Sequence, residues 1–145
     1  MYGIREITGT IQEIWVSPEF LYIKTDEDAT CLGTYGDCCS STDIHDVIGV
    51  KKVLKTGPIV GFRETKASEY CEGYVGPWDD SVQNYGLEIV VDHPEFGEVT
   101  CVVSYRNNSN GYYGGNLEYD GMNKPLGVTQ IFDDALDIIE AEETP

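Results

Sequence analysis

Between Val99 and Tyr105 every second residue is apolar: Val99, Cys101, Val103 and Tyr105 share one parity. A period of two is the mark of a half-buried strand, because successive side chains leave a pleated strand on opposite faces. The run passes directly into Arg106-Asn107-Asn108-Ser109-Asn110-Gly111-Tyr112-Tyr113-Gly114-Gly115, which is polar, glycine or tyrosine apart from one arginine. Asn-Gly is the strongest two-residue hairpin signal, since a type I′ turn needs positive φ at both central positions. The expectation is a hairpin with Asn110–Gly111 at its tip and a return strand over Tyr113 to Tyr119. Such a tip offers flat rings for stacking, one guanidinium for a phosphate and amides for sugar or base edges. It equally suits a plain hairpin whose tyrosines cover the sheet and whose asparagines satisfy their own backbone.

The remaining chain supports a β-rich domain. Ile7 to Ile11 alternates and Ile14 and Val16 continue on the other parity, which predicts a strand with a bulge near Gln12–Glu13. Phe20–Thr25 and Ala29–Tyr35 read as two further strands of an antiparallel meander. The turn Gly36-Asp37-Cys38-Cys39-Ser40 follows, and Ser40, Ser41 or Thr42 are placed to cap a helix with Ile44, Val47 and Ile48 on its apolar side. Gly49 marks that helix's stop, and Val50, Val53 and Leu54 suggest a further turn or two. Ile59–Thr65 and Asn84–Val91 read as strands around a loop at residues 66 to 81 that carries Trp78. Ile131, Ala135 and Ile138 recur at helical spacing and predict an amphipathic helix from about Thr129 to Glu140, with an acidic tail from 141 to 145. The expected class is α+β: one domain over 1–145, with an antiparallel β-sheet core at about 5–140, a short helix after the Asp-Cys-Cys-Ser turn and a C-terminal amphipathic helix.

Charge and cysteine usage exclude several function classes. The net charge of −17 repels nucleic acid polymers and anionic membranes. Five of the nine cations, Lys51, Lys52, Lys55, Arg63 and Lys66, fall in one segment, the least hostile to an anion. No apolar run approaches the ~18 residues that cross a bilayer, and Met1 to Glu6 lacks a leader pattern, so a cytoplasmic protein is expected. The odd count of five cysteines, with Cys38 and Cys39 adjacent, fits reduced thiols rather than a disulfide framework. His45 and His93 are too few for a metal ladder with these cysteines, so neither metal nor cofactor is expected. A nucleophile at Cys38 or Cys39 served by His45 lacks an orienting carboxylate, and the plainer reading is a structural turn of Asp37, Cys38, Cys39 and Ser40. No dinucleotide fingerprint or phosphate loop is present.

Gly36-Asp37-Cys38-Cys39-Ser40, the run His93 to Thr100, and Ser104 to Gly115 together resemble a family of small phage-encoded domains. Its better understood branch is the Thoeris anti-defence sponges. The resemblance implies a β-sheet core with helices, homo-oligomeric assembly, and non-enzymatic sequestration of cyclic ADP-ribose isomers or cyclic oligonucleotides in the host cell cytoplasm. It implies a ligand role for Asn110, Tyr112 and Tyr113, with Asn107 and Ser109 beside them and Arg106, Arg63 and Trp78 as candidates for the arginine and aromatic contacts. The alternative is an acidic protein that blocks a host defence factor by binding it.

Overall fold

A computed structural model of the chain describes residues 3–36, 41–72, 81–109 and 115–138. Two antiparallel sheets share one apolar core. The first contains β1 (Ile11–Val16), β2 (Phe20–Thr25), β3 (Ala29–Gly36), β8 (Gly115–Tyr119) and β9 (Thr129–Ile131), in the order β8-β3-β2-β1-β9. The second contains β4 (Ser41–Ile48), β5 (Ile59–Thr65), β6 (Ser81–His93) and β7 (Gly97–Ser109), in the order β4-β7-β6-β5. Two single-turn helices, α1 (Val50–Val53) and α2 (Glu69–Glu72), complete the described elements.

The alternating runs fold as their patterns require. Cys101, Val103 and Tyr105 of β7, and Leu87, Ile89 and Val91 of β6, are buried in the core against Ile11, Ile14, Leu21, Ile23 and Leu32 of the first sheet. The bulge expected near Gln12–Glu13 is present as a register shift between Ile11 and Glu13. Cys31, Cys71 and Cys101 are buried free thiols. Burial pushes the thiol of Cys31 up to about 11 and that of Cys101 up to about 12, so both stay protonated and inert at neutral pH.

Three expected elements differ. The segment after the Asp-Cys-Cys-Ser turn is strand β4, not a helix. Ile44 and Val47 stand three apart because a bulge lies between them, Ile44 pairing with Tyr105 and Asp46 with Ser104. An extra residue in a strand converts a period of two into a spacing of three, which imitates a helix turn. Gly49, with φ 97°, precedes α1 rather than ending a helix. A Cβ there would stand 2.7 Å from the Thr100 carbonyl oxygen, so both conformation and packing select glycine.

Through Asp137 the C-terminal stretch is strand, bend and bridge rather than helix, and Ile138 alone of its described residues is helical. Residues 129–131 form β9 on the edge of β1, and Ala135 exchanges both backbone hydrogen bonds with Val47. Asp134 Oδ1 accepts from the Gly49 and Val50 amides, and Asp137 has φ 53°, incompatible with a continuing α-helix. Residues 139–145 lie outside the described residues.

The return strand after the Asn-Gly pair exists, but it does not pair with β7. β7 already has β4 on one side and β6 on the other, so neither edge remains for a hairpin partner. β8 instead pairs with β3, on the edge of the other sheet. Asn110 and Gly111 themselves lie outside the described residues.

Candidate functional site

The register of the strands gathers the sequence motifs. Gly36, before the Asp37–Ser40 segment, pairs with Gly115, which follows the Asn110–Gly114 segment. Ser41, on the far side of the first segment, pairs with Asn108, and Ser81, after the Trp78 loop, pairs with Ser109. The flanks of all three segments therefore meet at one end of the two sheets. Asp37, Cys38, Cys39, Ser40, Trp78, Asn110, Tyr112 and Tyr113 lie outside the described residues.

Close packing holds this end together. Asn107 is fully buried, and its Nδ2 donates to Thr42 Oγ1 at 2.8 Å. Thr42 Oγ1 donates in turn to the Tyr35 carbonyl oxygen at 3.0 Å, which ties β4 to β3 across the seam between the sheets. Gly115 sits on this link: a Cβ there would collide with Thr42 Oγ1 and stand 2.8 Å from Asn107 Nδ2. A groove of about 440 Å³ opens beside the link, within the size range of small-molecule sites. Its walls come from the turn before β2 (Glu19), from β3 (Gly33 to Tyr35), from β4 (Ser41 to Asp43) and from the end of β8 (Glu118 to Asp120). Tyr35 and Tyr119 are 52% and 40% exposed, enough to offer ring surface to a ligand. Glu19, Asp43, Glu118 and Asp120 give the groove four carboxylates and no cation among its described lining residues.

The two candidate arginines are not in that groove and do not act together. Arg63 lies on the edge strand β5, with Nε 2.8 Å from Glu88 and Nη1 3.5 Å from Glu98. It registers with Glu88 of β6, whereas Arg106 registers with Asn84, four residues away along the same strand. At about 3.3 Å per residue the two rows are ~13 Å apart, too far for one phosphate clamp. Arg106 projects from the sheet face opposite the core, its Nη2 2.6 Å from His45 Nδ1 and 2.9 Å from Nε2. A guanidinium only donates, so this contact selects a neutral imidazole with a free lone pair.

Sequence reasoning missed what surrounds Arg106. The β4 bulge turns both His45 and Asp46 to the outer face of the second sheet, where they are 1% and 0% exposed. They are buried there because the chain after β5 doubles back across the sheet. Gly86 permits the crossing: a Cβ at this position would collide with the Lys66 carbonyl oxygen. The crossing chain is fastened by Ser68, whose amide donates to Ser104 Oγ and whose hydroxyl donates to Asp46 Oδ2 at 2.7 Å. Tyr70 stacks on the His45 ring at 5.3 Å between centroids. Cys71 completes the cluster, with ligating atoms of His45, Asp46 and Cys71 all within 4.8 Å of one another. The one legible signal was His45-Asp46 itself, two polar residues interrupting an apolar pattern.

Comparison of the chain with models of protein families, with curated proteins and with solved structures finds no match. Among the described residues no helix is long and apolar enough to cross a membrane.

Proposed function

We propose that the protein is a non-enzymatic binder that sequesters a nucleoside-bearing signal of the cyclic nucleotide class. One observation carries this reading: the pairings Gly36 with Gly115, Ser41 with Asn108 and Ser81 with Ser109 bring the flanks of three motif segments to one end of the molecule, beside a groove of ligand size. The chemistry of the groove sets the orientation of such a ligand. Carboxylates accept hydrogen bonds from ribose hydroxyls, as acidic residues of dinucleotide-binding folds do, and from exocyclic base amines. Tyr35 and Tyr119 supply stacking surface. Phosphates would be repelled by Asp43 and its neighbours, so they would point out of the groove, toward cations contributed from elsewhere, including a second copy of the chain.

The test is to heat the purified protein and identify released small molecules by mass spectrometry, then titrate the ligand-free protein with cyclic ADP-ribose isomers and cyclic di- and trinucleotides. Recovery of an unmodified cyclic nucleotide, with binding lost in a Tyr35→Ala, Tyr119→Ala double variant, is the expected result. No released nucleotide and no heat of binding would sink the reading. A second reading rests on the four groove carboxylates: they would receive a lysine- or arginine-bearing segment of a target protein. Capture of such a protein that is lost in Asp43→Asn, Asp120→Asn but survives Arg106→Ala and Tyr112→Ala would favour it.

A further inference from the structure

We propose that His45, Asp46 and Cys71 form a binding site for a single zinc-class divalent cation on the outer face of the second sheet. The three residues supply an imidazole nitrogen, a carboxylate oxygen and a thiolate sulfur, a donor set that borderline-soft divalent metals accept. All three are buried, and their ligating atoms lie within 4.8 Å of one another. In a tetrahedral site neighbouring donors stand roughly 3.3–3.8 Å apart, so adjustments of about an ångström close the cluster on an ion.

A second observation points the same way. Asp46 is fully buried, Ser68 occupies its Oδ2, and its Oδ1 meets no hydrogen-bond donor among the described residues. A buried carboxylate oxygen ordinarily has a donor or a cation, and a metal ion beside His45 and Cys71 would provide one. The remaining ligand position has a candidate in Asn84, whose Oδ1 lies 3.6 Å from Cys71 Sγ. That separation is about the one expected between sulfur and oxygen donors on one tetrahedral zinc. Ser68 then serves as the outer support, holding Asp46 through its hydroxyl while accepting from the Cys71 amide at 3.0 Å.

Charge and protons balance. Binding releases the Cys71 thiol proton to solvent, and thiolate plus carboxylate neutralise the two charges of the ion. Arg106 must leave the imidazole edge when His45 takes the metal. Asp43 stands opposite Arg106 in the β4–β7 register, which keeps a carboxylate on the neighbouring strand.

Cobalt(II) is the probe for the test, added to full-length, chelator-treated protein and then displaced by zinc. The expected result is one equivalent of cobalt with a thiolate charge-transfer band, retained in a Cys38→Ser, Cys39→Ser double variant and absent in Cys71→Ser. His45→Gln is expected to weaken binding by more than the ~10–100-fold typical of outer-shell changes. Circular dichroism checks that each variant folds. Should Cys71→Ser not fold, the thermal midpoint decides: zinc should raise it in the parent protein and not in Asp46→Asn. No charge-transfer band in the parent, a band that persists in folded Cys71→Ser, or an equal zinc shift in Asp46→Asn would overturn the proposal.

Discussion

The groove at the sheet seam and the cluster over the second sheet are built from similar residues to opposite ends. Both hold carboxylates, hydroxyls and a tyrosine face. In the groove Glu19 and Asp120 are exposed and Asp43 and Glu118 half-buried, so the carboxylates keep access to water, cost less than a sealed charge and can meet a donor-rich visitor. In the cluster, Asp46 and His45 are sealed under a crossing chain and each contact is set by a register or a bulge. The lesson is that burial, rather than residue type, decides whether a polar group is adaptable or committed.

That contrast is open to attack by substitution. The largest expected effect is from Gly86→Ala, where the new methyl meets the Lys66 backbone. It should cost about 1–3 kcal/mol in urea unfolding and loosen the chain that covers the cluster. Asp46→Ala should follow at about 1–3 kcal/mol, because the half-buried Ser68 hydroxyl loses its acceptor and the buried Asp46 site is emptied. A stability change below ~0.5 kcal/mol for Asp46→Ala would show that the cluster is as adaptable as the groove. Tyr35→Ala and Tyr119→Ala should each shift stability by no more than ~0.5 kcal/mol, since both rings are exposed, while removing base-stacking surface measurable by calorimetry.

The smallest effect is expected at a half-buried ion pair that belongs to neither region. The Arg5 guanidinium, and then the Ala29 amide, hold the Asp28 carboxyl below its ordinary 3.8. A carboxyl depressed on folding stabilises fully above its unfolded value, and that contribution disappears as pH falls through the folded value. Urea midpoints measured from neutral pH down past 3.8 should therefore fall more for the parent protein than for Asp28→Asn. Equal slopes would show that this half-buried pair contributes nothing.

Much of the sheet content was legible in local pattern. The alternation in β1, β2, β6 and β7 named both the strands and their buried faces, because side-chain parity is a property of the backbone alone. Where a bulge interrupted the parity, as at His45, the same residues imitated a helix. The Asn-Gly pair suggested a hairpin because local turn chemistry is blind to whether a strand edge is already taken. The Ile131-Ala135-Ile138 spacing misled for a related reason: those residues answer to β1, β4 and the core, not to one another along a helix face. Of the candidate site residues, Asn107 proved to be a buried link in the seam, while Arg63 and Arg106 stand on separate rows.

Residue order alone determined that this chain makes antiparallel strands and carries a strongly acidic charge, because those follow from period and composition, and the three described cysteines are free and buried as the odd count suggested. Only the tertiary structure decided which strands pair, and hence that three separated motifs share one end and that His45, Asp46 and Cys71 meet. Pairing is a competition for a limited number of sheet edges, and its outcome depends on every strand at once.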